Sequence, residues 1–144
     1  TKEGGNLWKD LNARLELIKD KVELIKERAD MIPKEYKERL MQNVQRLSSD
    51  LSFDEDRIET EAVIFAEKSN ITEEVVRLGS HLAQMQELLY SDDAVGKKMD
   101  FIAQEMFREA NTISVKASDY CVSKEIIDIK SELEKIREQI QNIE

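Results

Sequence analysis

Apolar residues recur along this chain in steps of three and four, and those steps mark out helices. Leu11, Leu15, Ile18, Val22, Ile25, Ala29 and Ile32 form the first run, a heptad seam. It predicts a helix from Asn6 to about Asp30, with Trp8 packed at its base. Pro33 ends it, because a proline disfavours helical geometry in the residue before it. A matching seam of Tyr36, Leu40, Val44, Leu47 and Leu51 follows, from Lys34 to about Leu51. Two such seams across a short link predict a long antiparallel coiled-coil hairpin over residues 6–51, with Pro33 near its tip. A third helix, about Asp54 to Lys68, carries Ile58, Ala62, Ile64 and Phe65 before Ser69-Asn70 breaks it. Asn70 and Glu73 stand at capping-box spacing, so a fourth helix starts here and runs to about Tyr90. Its stripe is Ile71, Val75, Leu78, Leu82, Met85 and Leu89.

After the acidic Ser91-Asp92-Asp93, a helix from Gly96 to Lys116 buries Met99, Ile102, Ala103, Met106, Ala110 and Ile113. A break at Ala117 to Tyr120 precedes the last helix, about Val122 to Ile143. Its heptads are Val122, Ile126, Ile129, Leu133, Ile136, Ile140 and Ile143. The expectation is an all-α fold of about six helices, with a hairpin and a C-terminal heptad helix. A single helical domain spans 1–144, and residues 54–144 form its body.

Two polar faces differ from ordinary solvated ones. The outer face of the Gly96 helix holds Lys97, Phe101, Gln104, Glu105, Arg108 and Thr112. A Phe among cations, carboxylates and amides suits a polar partner better than water. On the preceding helix Glu74, Arg77, His81 and Gln84 fall within about 80° of one another. Glu105 and Glu109, four residues apart, can converge on one site. Two carboxylates with an imidazole make a ligand set for Mg²⁺ or Mn²⁺. Such a metal can activate water for in-line attack on a phosphodiester. Pattern alone favours plainer readings: Glu105, Arg108 and Glu109 as an intrahelical ion-pair set, His81 as a surface residue, and Phe101 packed under another helix. His81 is the one histidine of the chain, so a histidine-based mechanism has only this residue to use. The sequence holds no glycine-rich phosphate loop and no HExxH motif.

Charge sharpens the contrast between segments. A net charge of −9 argues against nucleic acid as the partner of the whole surface, since phosphate binding rests on Lys and Arg. Between Gly96 and Lys124, however, five cations (Lys97, Lys98, Arg108, Lys116, Lys124) face four acids (Asp100, Glu105, Glu109, Asp119). The lone Cys121 allows neither an internal disulfide nor a cysteine zinc site, and fits a reducing compartment. No window reaches the apolar length of a membrane span, and no signal peptide is visible. The expected location is the cytoplasm, with no membrane and no small-molecule cofactor as partner. A start at Thr1-Lys2-Glu3-Gly4-Gly5, without Met, reads as part of a longer protein.

The run Gly96 to Thr112, GKKMDFIAQEMFREANT, resembles the signature of the bacterial YicC/YloC family. So do the upstream Ile71 to His81, ITEEVVRLGSH, and the ending Arg137 to Glu144, REQIQNIE. The resemblance covers most of the chain. It implies the C-terminal half of a stress-linked, metal-dependent endoribonuclease that assembles as a ring-like homo-oligomer, a hexamer, and acts on RNA. It places functional weight on Glu74, Arg77, His81, Asp100, Phe101, Gln104, Glu105, Arg108, Glu109, Asn111 and Thr112. On this reading Glu74, His81, Glu105 and Glu109 hold Mn²⁺ or Mg²⁺. His81, Glu105, Glu109 and Arg108 serve catalysis. Lys97, Lys98, Phe101, Gln104, Arg108, Asn111 and Lys116 contact RNA. Phe107, where a polar residue is common in the family, and Tyr120-Cys121 depart from the pattern. The rival expectation is a non-catalytic module for oligomerisation or for delivering RNA to another nuclease.

Overall fold

The apolar stripes meet inside one chain. In the computed structural model, which describes residues 2–47, 55–91 and 96–143, the fold is all-α. Five helices occupy the described residues: α1 Lys2–Leu47, α2 Glu55–Lys68, α3 Thr72–Leu89, α4 Gly96–Ala117 and α5 Tyr120–Ile143. The first part of α1 joins α3, α4 and α5 in a bundle in which α1 lies against α3 and α5, and α4 against α3 and α5. Leu11, Leu15, Ile18 and Ile25 of α1 are completely or almost completely buried, as are Leu78, Met85, Met106, Ile113, Ile126, Ile129 and Leu133. The heptad seams of the first and last helices are thus satisfied within the chain. They no longer argue for association with another copy. No helix of the described residues is long and apolar enough to cross a membrane.

The expected break at Pro33 does not occur. α1 runs unbroken through it, so the hairpin expected over residues 6–51 is a single helix as far as Leu47. A proline inside a helix costs roughly 3 kcal/mol, because it lacks an N–H and crowds the carbonyl four residues back. Tertiary contacts offset this cost. Arg28 spans the proline turn and donates to the Glu35 carboxylate at 2.7 and 2.6 Å. The same guanidinium donates to Asp119, just ahead of α5, at 3.0 and 2.8 Å. Asp119 first, then Glu35, raise the pKa of Arg28 above its already high ordinary value. Ile32, just before the proline, stays buried in the core.

α2 returns along the distal part of α1, where Tyr36 and Phe65 stack with ring centroids 3.8 Å apart and Lys37 pairs with Glu59. Leu51, the end of the expected second seam, lies outside the described residues. Ile58 of α2 is buried but stands apart from the main core. The result is a four-helix bundle with a helical arm.

Ion pairs at heptad spacing set the register of α1 against α5. Arg14 meets Glu132 at 2.8 Å, Lys21 meets Asp128 and Glu125 at 3.0 and 3.2 Å, and Arg28 meets Asp119. Glu132 is one rung of this ladder. Helix ends are also specified locally. The N-cap of α3 is Ile71, which makes no side-chain cap hydrogen bond, so the expected Asn70–Glu73 capping box does not form; Asn70 Oδ1 instead accepts the Thr72 N–H at 2.9 Å just ahead of the helix. Ser118 turns the chain after α4 with a left-handed φ of 45°. Asp119 accepts the Val122 N–H at 3.1 Å and so caps α5.

Candidate functional site

Each of the two polar faces singled out in the sequence lies on one of a pair of touching helices, α3 and α4. Their stripes of buried residues fix which polar residues flank the seam. Glu74 of α3 is buried, with 3% of its surface exposed, and its carboxylate accepts from Lys116 Nζ at 3.0 and 3.4 Å. Arg77 Nε donates to the buried Glu109 at 3.0 Å, and its Nη1 lies 3.7 Å from Glu73. These rungs run antiparallel: the position rises on α3 as it falls on α4. Continuing that register by one turn sets His81 opposite Glu105, and Gln84 opposite Ile102. Gln84 and Ile102 do line one shallow depression of about 380 Å³, together with Lys97, Lys98 and Phe101.

The rungs differ chemically. Burial is the largest single effect on the Glu74 carboxyl and pushes it up, but the Lys116 hydrogen bond, a backbone hydrogen bond and the charges of Lys116 and Arg77 together outweigh it. The group ends below the usual carboxylate range. Glu109 is likewise engaged by a guanidinium. The His81–Glu105 rung is open. His81 is half-buried, its Nδ1 3.4 Å from Gln84 Oε1, and no ion pair or hydrogen bond among the described residues reaches the Glu105 carboxylate. Arg108, one turn further on the solvent side, is exposed, and its guanidinium has no carboxylate partner among the described residues. Its backbone carbonyl accepts from Thr112 Oγ1 at 3.1 Å.

Several expected roles change on this geometry. The metal set of Glu74, His81, Glu105 and Glu109 is not gathered, and the described residues contain no cluster of three or more His, Cys, Asp or Glu fit for a metal ion. The reason is electrostatic: Glu74 and Glu109 are each neutralised by a cation from the facing helix, which leaves His81 and Glu105 as the donors. Among the described residues these four side chains are not arranged as the ligand set of a divalent cation. Lys116, expected on RNA, is held by Glu74. The intrahelical alternative fails too, since Glu109 reaches across to Arg77 and not along its own helix to Arg108. Gln104 donates to Asp100 at 2.9 Å, and Asp100 also accepts from Arg137 at 2.9 Å. Lys97, Lys98, Phe101 and Asn111 are exposed. The pairing of Arg77 with Glu109, and the reach of Arg137 from α5 to Asp100, escaped sequence reading. Partners 32 and 37 residues apart leave no local pattern.

A family model described as Endoribonuclease YicC-like, C-terminal, matches residues 25–144. Over 145 aligned residues the chain is 44% identical to the "Probable endoribonuclease YicC" of Clostridioides difficile (strain 630), covering 100% of this chain and 50% of that protein. Over 143 residues it is 31% identical to the protein of the same name from Haemophilus influenzae, covering 99% of this chain and 49% of that one. The chain spans about half the length of the curated relatives it matches.

Proposed function

The chain belongs to the YicC-like endoribonuclease family, in its C-terminal domain, and from that premise we propose that the α3/α4 seam is where an internal RNA phosphodiester is cut. The observation that carries this reading is that the Glu105 carboxylate and the Arg108 guanidinium have no partner among the described residues, at the point where the register of the other two rungs sets Glu105 opposite His81. In a seam whose other carboxylates are neutralised, these groups remain free to move protons and to meet a phosphate.

Cleavage of a phosphodiester needs a proton removed from the attacking oxygen and a proton given to the departing one. Glu105, as carboxylate, accepts the first. His81, as imidazolium, gives the second, and the two exchange protons to reset the site. Arg108 faces the phosphate and offsets the negative charge that grows on its oxygens. Glu74–Lys116 and Arg77–Glu109 hold the two helices in register, so they position Glu105 without touching the substrate.

The test is incubation of an end-labelled structured RNA with the protein in Mn²⁺, Mg²⁺ or EDTA. Internal cuts that His81→Ala slows at least about a hundredfold support the assignment; His81→Ala cutting at the parental rate ends it. The rival reading, an oligomerisation or adaptor module, is weakened by the internal use of the heptad seams. The six-copy ring remains part of this proposal, and sedimentation near ~100 kDa, six chains of 16.7 kDa, tests it.

A further inference from the structure

The depression at the α3/α4 seam has chemistry that an acid–base pair does not require. Phe101 stands 63% exposed at its edge. The other described phenylalanines are used by the fold: Phe65 stacks on Tyr36, and Phe107 lies under the Arg137 guanidinium at 5.9 Å. Phe101 has no such partner among the described residues. Around it are two exposed ammonium groups, Lys97 and Lys98, and the exposed amide of Gln84. A bare aromatic face, an amide that can meet a base edge and two cations for phosphate are the elements of a nucleotide subsite.

Its position gives the subsite a meaning. Phe101 is one helical turn from Glu105 on α4, and Gln84 is three residues from His81 on α3, in contact with it. A base lying on Phe101 therefore brings the adjoining phosphodiester to His81, Glu105 and Arg108. Bases inside a duplex are covered on both faces by their neighbours and cannot lie on Phe101 without leaving the stack. We propose that the Gln84–Lys97–Lys98–Phe101 depression binds one unpaired ribonucleotide next to the scissile phosphodiester, so that the substrate class is RNA with an unpaired residue at the cut. This inference rests on the endoribonuclease reading of the same seam.

Binding of three RNAs to the protein tests it: a single strand, a duplex with one bulged 2-aminopurine, and the fully paired duplex. The single strand and the bulged duplex are expected to bind at least about tenfold tighter than the full duplex, with 2-aminopurine fluorescence quenched on binding. Phe101→Ala is expected to weaken them roughly tenfold or more and abolish the quenching, while Phe101→Trp keeps both. Phe101 is exposed, so an unchanged melting temperature checks that both variants fold. Equal affinity for all three RNAs, or Phe101→Ala binding and quenching like the parent, overturns the subsite. If Arg108→Ala still weakens binding in that case, the endoribonuclease reading stands and only the subsite falls. If no RNA binds the parent, both fall together.

Discussion

Lys116→Met tests whether the α3/α4 seam is built as described. The substitution keeps the aliphatic stem and removes the ammonium that neutralises Glu74. The Glu74 side chain is 4% exposed, against 37% for Lys116. Removing one partner of a fully buried pair costs roughly 3–5 kcal/mol, because the other charge is left unpaired in a poor solvent. More than a third of Lys116 meets water, so the pair is partly screened and the expected loss is smaller, about 2 kcal/mol. For a chain of this length that is roughly 6 °C in melting temperature. The pH dependence carries its own sign. In the parent the folded pKa of Glu74 lies below its ordinary value of 4.5, so its contribution is complete above that pH and lost as pH falls through the folded value. In Lys116→Met burial acts without the ammonium and raises the pKa, so the deficit narrows as pH falls from 7 toward about 4.5. Urea unfolding at several pH values measures both effects. Glu74→Gln added to Lys116→Met is expected to recover about 1 kcal/mol, since a neutral amide is less costly to bury than an unpaired carboxylate. A deficit under about 0.5 kcal/mol at pH 7, or a double variant no better than the single one, refutes the reasoning.

Two further outcomes concern the ends of α4 and α5. Ser118 holds a left-handed φ that costs a side chain and not a glycine, so Ser118→Gly is expected to stabilise by roughly 0.5–1 kcal/mol in thermal unfolding; a loss of stability would mean that its side chain matters more than its backbone. Asp119 both caps α5 and holds Arg28, so Asp119→Ala is expected to cost about 1–3 kcal/mol. Asp119→Asn, which keeps the cap oxygen, is expected to cost less, and equal losses would assign the whole effect to the Arg28 ion pair.

How far the sequence reveals this molecule depends on whether a feature is local. The stripes Ile71 to Leu89, Met99 to Ile113 and Val122 to Ile140 are read directly, because burial on one helix face imposes its period on the residues that fill it. Pro33 misleads for a nonlocal reason. Its local preference is to end a helix, and the Arg28 contacts to Glu35 and Asp119 that hold α1 together bring in a residue 91 positions away. The site divides in the same way. The Phe, cations and amides of the α4 outer face are visible as a departure from ordinary patterning. That Glu74 and Glu109 are engaged by Lys116 and Arg77, which takes them out of a metal set, follows from the register of two helices. A list of residue types cannot show it.

The open rung is the centre of the account, and the cleavage rate of Glu105→Gln beside that of Glu109→Gln tests it most directly. Both variants replace a carboxylate by an isosteric amide on the same helix, one in the open rung and one in the Arg77 pair. Glu105→Gln is expected to cut RNA at least about a hundredfold more slowly with an unchanged melting temperature, while Glu109→Gln loses stability first and rate less. Glu105→Gln cutting RNA as fast as the parent would contradict the account.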